Sequence, residues 1–224
     1  MNIVKQREME TVQLVRYSKS YVFFKRILDI VLSTVLLLLL SPVLLLVSLL
    51  LYMDDGSPVI FKQTRIGLGE KPFVLLKFRT MPWVAPFLND EKEDSKKHWI
   101  HGVPDDFVFK SSCPSETTKL GEFLRKYSVD ELPQLINVVK GDMSLVGPRP
   151  EVSNITDYYN VEQKKRLLVK PGLTGYAQVH GRSGLTHGEK ISSDLYYVES
   201  RSLKLDIRIL LLTVKHVFKA ENSF

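Results

Sequence analysis

Between Arg125 and Glu151 the chain reads RKYSVDELPQLINVVKGDMSLVGPRPE, and most of its candidate chemistry lies there. Asp130 and Glu131 are adjacent carboxylates at a predicted helix start. Ser128 and Glu131 match a capping box, with Ser128 as N-cap and Glu131 at N3. Pro133 would then fall at N5, so the alternative is a helix that begins closer to Pro133. Either start places both carboxylates at a helix N-terminus, where the dipole favours negative charge and lowers carboxyl pKa values. Two roles stay open for them: a glutamate that only caps a helix, or an acidic pair able to hold a divalent metal or act on a substrate.

Downstream, Gly147-Pro148-Arg149-Pro150 is a rigid turn presenting one guanidinium. The planar fork of arginine donates two parallel hydrogen bonds and so suits phosphate, and the flanking Pro148 and Pro150 limit the entropy lost on binding. A structural corner is the competing reading. A second Gly/Pro turn, Lys170 to Gly175 (KPGLTG), leads to Gln178, His180, Gly181 and Arg182, another polar and basic loop. The histidine in such a setting is more often structural than catalytic.

These groups need elements to carry them. After the Asp54-Asp55-Gly56 turn, Val59 to Ile66 and Phe73 to Phe78 are β-rich runs flanking Gly67-Leu68-Gly69, which predicts a β-hairpin. Lys62, Gln63, Arg65, Lys77 and Arg79 would give it a polar face, which is either solvated or functional. Leu120 to Val139 reads as helical, interrupted at the acidic motif, and Leu203 to Phe218 has the apolar spacing of a helix that closes the core or lies on a membrane. Residues 82–118 are the least legible; Trp83 and Trp99 there suit either a membrane interface or a core.

Ile27 to Met53 reads ILDIVLSTVLLLLLSPVLLLVSLLLYM, with Asp29 its only ionisable residue. A run this long and apolar belongs in a bilayer, and its length and position do not fit a signal peptide. Ser41-Pro42 interrupts its middle. The arms before and after would reach roughly 21 Å and roughly 15 Å, each short of a core of about 30 Å. Lys19, Lys25 and Arg26 precede the run, while Lys62, Arg65, Lys71, Lys77 and Arg79 follow it, so both flanks favour the cytosolic side. A bent helix that enters and leaves by one face satisfies both features. The Ser41 hydroxyl would pair a carbonyl freed at the break.

The 224 residues are 44% apolar and carry a net charge of +6, which fits a folded chain with an acidic partner. The basic residues are dispersed, without a nucleic-acid motif, so nucleic-acid binding is not expected. The single cysteine, Cys113, excludes an intrachain disulfide and is read as incidental. Walker and kinase motifs are absent, which argues against a nucleotide-driven kinase. A carboxylate pair, phosphate-seeking cations and an adjacent membrane segment together describe phosphoryl chemistry on a lipid.

The ordered motifs sharpen this. KRILD, Ser41-Pro42, FKQTRIG with KFRTM, the LRKYSVDELPQL to GPRPE run, KPGLTGYAQVHGR and the closing DLYYVESRSLKLDIRILLLTV extend from about Phe24 to Phe218. In these the chain resembles the bacterial sugar transferases, the monotopic polyprenyl-phosphate phosphoglycosyl transferases, in their small catalytic form. The resemblance implies an α+β, mostly helical fold. It would have an N-terminal extension at 1–22 and one transferase domain at 23–224, with a kinked re-entrant membrane helix at 23–53, a β-hairpin and amphipathic interfacial helices. It implies the cytosolic face of the bacterial cytoplasmic membrane, and the first membrane step of capsule, exopolysaccharide or glycan assembly. Asp130 and Glu131 would be a catalytic dyad. Asp130 would attack the β-phosphate of a UDP-sugar and expel UMP, and polyprenyl (undecaprenyl) phosphate would take the phosphosugar from the enzyme. Mg²⁺ is the implied cofactor, with Asp130 and Glu131 as its candidate ligands; Glu131 would either help bind the metal or position the second acceptor. Arg149 would bind the nucleotide part of the donor, with Lys77, Arg79, Arg125, Arg182 and Gln178 as further binding candidates. Two departures stand out: VPDDFVFKSSCPSETTKLGEFLR replaces the usual D-P-R-[IV]-T segment before G-x-x-L-R, and Tyr176 and His180 replace the commoner Trp and Asn.

Overall fold

The computed structural model describes residues 18–82, 99, 101–108, 117–181 and 184–219. Trp83, Cys113 and Arg182 lie outside them. The first element, α1 (Lys19–Asp55), holds the apolar run in one helix of 37 residues, a contour of roughly 55 Å. Its most apolar 18-residue window has a mean hydropathy of 2.9, and the helix is long and apolar enough to cross a membrane. Contrary to the expected helix–break–helix, the helix continues through Pro42. The reason is local. Pro42 cannot donate to the carbonyl four residues back, that of Leu38, and the Ser41 hydroxyl donates to it instead at 2.8 Å.

Strands β1 (Ile60–Ile66) and β2 (Pro72–Phe78) form the expected antiparallel hairpin. Its register puts Phe61 opposite Lys77 and Arg65 opposite Phe73, so Gln63, Arg65 and Lys77 share one face while exposed Lys62 lies on the other. Gly69, at φ +64°, makes the connection.

The rest of the body is built from short elements. They are α2 (Lys119–Lys126), α3 (Gln134–Lys140), β3 (Ser144–Val146), α4 (Ser153–Thr156), α5 (Val161–Lys164), β4 (Gly172–Thr174), α6 (Tyr176–His180), α7 (His187–Ser200) and α8 (Leu203–Lys219). Unforeseen in the sequence, β3 and β4 pair in parallel. Their pairing depends on glycine: a Cβ on Gly147, Gly172 or Gly175 would collide with facing backbone. The main core gathers Leu75, Leu135, Val138, Met143, Leu145, Val146, Val179, Tyr197 and Ile209. Trp99 joins a second cluster, its ring centroid 4.9 Å from that of Phe107, which decides for it between core and membrane interface.

Polar side chains join α1 to this body at both ends. Arg26 donates to the carbonyls of Val138 and Val139 at 2.6 and 2.8 Å, satisfying the end of α3. Buried Asp29 accepts from the Ser144 hydroxyl and the Leu145 N–H, and Lys25 pairs with buried Asp206 at 3.0 Å. At the far end Val47 and Leu51 pack with Phe78 and Leu124, and Arg79 pairs with Asp55 at 3.3 Å.

Candidate active site

The acidic pair sits in a single 3₁₀ turn, Val129–Glu131, ahead of α3. Ser128 is left-handed, at φ 55°, and makes no capping bond, so the capping box is not formed. Pro133 occupies the N-cap position of α3, which is the later of the two predicted starts; its missing N–H is harmless there. Asn137, one turn into α3, accepts from the Leu76 N–H and donates to the Val74 carbonyl, completing the free edge of β2. That bond fastens the acidic turn beside the hairpin's polar face.

Asp130 is buried, at 7% exposure, and its carboxylate makes no hydrogen bond or ion pair among the described residues. Burial pushes its pKa up to about 6, neighbouring Glu131 adds to the rise, and Lys77, Arg149 and Arg125 oppose it. The expected lowering by a helix dipole is therefore reversed. The seven-residue α3 offers little dipole, while the carboxylate has lost most of its water. Burial in turn pulls the Lys77 ammonium below its ordinary range, with Asp130 pulling the other way. Arg125 is set by its Nε donating to the Thr80 hydroxyl at 2.8 Å, and Gly121 on α2 lets the two backbones touch, since a Cβ there would strike the Thr80 carbonyl.

Glu131 accepts from Arg149 at 2.7 Å. Arg149 is the exposed residue between two buried prolines. Three successive carbonyls of that loop are held from three directions. Gly172 N–H donates to Pro148 O at 2.9 Å, Arg166 to Arg149 O at 2.9 Å, and Arg65 to Pro150 O at 3.1 Å. The result is two carboxylates within a group of four cations, Lys77, Arg125, Arg149 and Arg65, an arrangement suited to a polyanionic substrate beside a nucleophilic or metal-binding carboxylate.

A family model described as "Bacterial sugar transferase" matches residues 20–220. The chain belongs to the bacterial sugar transferase family. It is 43% identical over 197 residues to the uncharacterized sugar transferase EpsL of Bacillus subtilis (strain 168), covering 88% of each protein. It is 38% identical to the UDP-glucose:undecaprenyl-phosphate glucose-1-phosphate transferase of Caulobacter vibrioides, covering 89% of this chain and 72% of that one. With the undecaprenyl-phosphate galactose phosphotransferase of Salmonella typhimurium the identity is 38%, over 90% of this chain but 42% of the longer relative. The protein is thus a transferase, and the Caulobacter and Salmonella relatives are named as transferring a sugar phosphate to undecaprenyl phosphate.

Within the transferase the predicted site residues divide. Asp130, Glu131, Lys77, Arg125 and Arg149 come together, and Pro148 and Pro150 serve by holding Arg149. Arg79 does not join them. It is 5% exposed and one nitrogen of its guanidinium donates to the carbonyls of Asp55 and Gly56, an anchoring contact that closes the end of α1, while its Nη1 is buried without a partner among the described residues. Two residues after Lys77, it is diverted because the strand ends at Phe78. Gln178 has both amide atoms buried and unpaired beside Gly175. His180 stacks on Tyr176 and bonds its carbonyl at 2.8 Å, a structural role. Arg166 gives no signal in the sequence, because KKRLL looks like a solvated charge run, and Arg65 shows its place on the polar face there but not its reach to Pro150.

Proposed function

We propose that this transferase moves a sugar-1-phosphate from a UDP-sugar to polyprenyl (undecaprenyl) phosphate, releasing UMP, through a covalent intermediate on Asp130. The observation that carries the reading is Asp130 itself, a buried carboxylate without a direct partner among the described residues, with cations around it. An unpaired carboxylate keeps its lone pairs for attack, whereas one in a close ion pair does not. A carboxylate oxygen of Asp130 attacks the β-phosphorus. The bond from that phosphorus to the bridging oxygen breaks, and UMP leaves with the oxygen. Lys77, Arg125 and Arg149 balance the charge that spreads over the phosphoryl oxygens. A lipid-phosphate oxygen then attacks the same phosphorus, the acyl-phosphate bond breaks, and Asp130 returns as carboxylate.

The donor set also fits Mg²⁺. That ion is ordinarily held by one or two carboxylates with phosphates and waters, and Asp130 and Glu131 supply two, although no group of three or more metal-binding side chains occurs among the described residues. When bound it would supply positive charge between the carboxylates and the diphosphate.

Re-entry of α1 at the cytosolic face of the bacterial inner membrane is part of the proposal. Its support is that both ends of the helix are tied to one polar body, Lys25, Arg26 and Asp29 at the start and Asp55 at the end. A spanning helix would draw that body, with its charged site, across the hydrocarbon. On α8 the exposed Ile207, Leu211 and Val214 form an apolar stripe at helical spacing, suited to the interface.

The test is UMP release by nanodisc-held enzyme with Mg²⁺ and a panel of UDP-sugars, with and without polyprenyl phosphate. Lipid-dependent turnover with one sugar, and a stoichiometric burst without lipid, are expected from the wild type. UMP release that survives in Asp130→Asn would remove the nucleophile assignment.

A further inference from the structure

The three carbonyls of the Pro148-Arg149-Pro150 loop are all paired with donors from outside it, and its two prolines have no N–H to offer. The central donor is unusual. Arg166 is 3% exposed, and its charge is balanced behind the loop by Asp194 at 2.6 Å, with the Tyr159 hydroxyl at 2.6 Å and Glu151 at 3.8 Å. Burial disfavours the guanidinium charge, but Tyr159, Asp194 and Glu151 outweigh it and keep it protonated. Nearby His187 is pushed down to about 4, chiefly by burial and then by Arg166, so it adds no competing charge at neutral pH. A buried ion pair adds little net stability over an apolar pair of similar volume, so its contribution is better sought in what it orients. What it orients here is the carbonyl of the one residue whose side chain reaches Glu131.

Resting on the function proposed above, we propose that Arg166 and Asp194 are positioning residues that set Arg149 for the donor diphosphate. One terminal nitrogen of Arg166 holds both the Asp194 carboxylate and the Arg149 carbonyl, while the other donates to the Tyr159 hydroxyl, and a single ammonium cannot keep all three partners in that planar geometry. The carbonyl bond fixes the backbone at Arg149, the prolines fix it on either side, and the guanidinium is thereby aimed across the site.

The experiment is a double-mutant cycle on the full chain in nanodiscs, reading kcat and KM for the UDP-sugar by UMP release. Arg166→Lys should lower kcat/KM by about 10- to 100-fold, and Tyr159→Phe, which deletes one hydroxyl beside Arg166, by about 3- to 10-fold. In an Arg149→Ala background either change should add less than about threefold, because the residue it positions is gone. Either change carrying its full factor into that background would overturn the proposal, as would wild-type kcat/KM in Arg166→Lys. If Arg166→Lys loses its cooperative melt, Tyr159→Phe carries the cycle alone. A wild type that turns over while the cycle is additive overturns only the positioning role. A wild type that releases no UMP from any donor overturns the proposed function, and this inference with it.

Discussion

Asp130 and Asp194 are both buried, and burial pushes both carboxyls up to about 6, yet they serve opposite ends. Asp194 is closed. Its carboxylate meets Arg166 at 2.6 Å behind the arginine loop, so its charge is spent on holding backbone in place. Asp130 is open. Lys77, Arg125 and Arg149 act on it without a direct bond among the described residues, so its cost of burial is only partly offset. A shifted pKa alone does not separate a structural acid from a reactive one; the separation comes from whether a partner already occupies the lone pairs.

The largest expected effect breaks the two apart. Asp130→Asn should lower UMP release by at least about 10³-fold, since no other described carboxylate lies in its place. Its melting temperature should be equal or slightly higher at pH 7.5. The sign follows from linkage: a carboxyl raised from 3.8 to about 6 favours the folded state when protonated, and that advantage is lost as pH rises through about 6. A neutral amide removes the resulting penalty. Asp194→Asn should do the reverse in stability, leaving the Arg166 charge buried without its closest partner at a cost of about 3–5 kcal/mol. Thermal melts and UMP assays on the same preparations check both. Loss of stability in Asp130→Asn matching that of Asp194→Asn would end the contrast.

The open acid was legible in the sequence and the closed one was not, for a physical reason. DELPQL, GPRP and the PGLTG turn are local patterns whose residue types announce turns and anion-seeking groups within a few positions. The hairpin, the last helix and the apolar run were likewise readable from periodicity, within a residue or so at most ends. Arg166 in KKRLL and Asp194 in SSDLYY are separated by 28 positions and look solvated in their own segments; only tertiary burial pairs them. Asn137, which completes the edge of β2, and the parallel β3–β4 ladder are hidden for the same reason. Pro42 does not interrupt the helical run, and the Ser41 pairing was legible beside it. The bond lost at Pro42 is replaced by a hydroxyl one residue earlier, and the helix persists.

A second, smaller effect sharpens which acid controls catalysis. The kcat/KM profile should have an acid limb with its midpoint near 6, falling about tenfold per pH unit below it, because the attacking carboxylate must be ionised. Both aspartates titrate there, so the midpoint alone does not assign it. Their neighbours do. Lys77→Met removes a cation that lowers the Asp130 pKa and should move the limb up, whereas Glu131→Gln removes a charge that raises it and should move the limb down, each read from residual activity. Lys190→Ala, next to Asp194, should leave the limb where it is. A limb that follows Lys190 instead would assign it to the closed acid.

The smallest effect concerns a cation from the open side that the fold recruits for a closed role. Arg79 lies two residues after Lys77, and its sequence setting suggested a phosphate ligand. Its NH2 group instead donates to the carbonyls of Asp55 and Gly56, with the Asp55 carboxylate at 3.3 Å. Arg79→Ala would unpair the end of α1 where it meets the hairpin, at a cost of about 1–3 kcal/mol, and lower the melting temperature accordingly. Below that melt, kcat/KM for the UDP-sugar should stay within about threefold of wild type, because no substrate contact is lost. Arg125→Ala, in the same assay, should lower kcat/KM by about tenfold or more with little change in the melt. If the two variants exchanged these signatures, Arg79 would belong with the open acid and the end of α1 would be held by packing alone, through Val47, Leu51, Phe78 and Leu124.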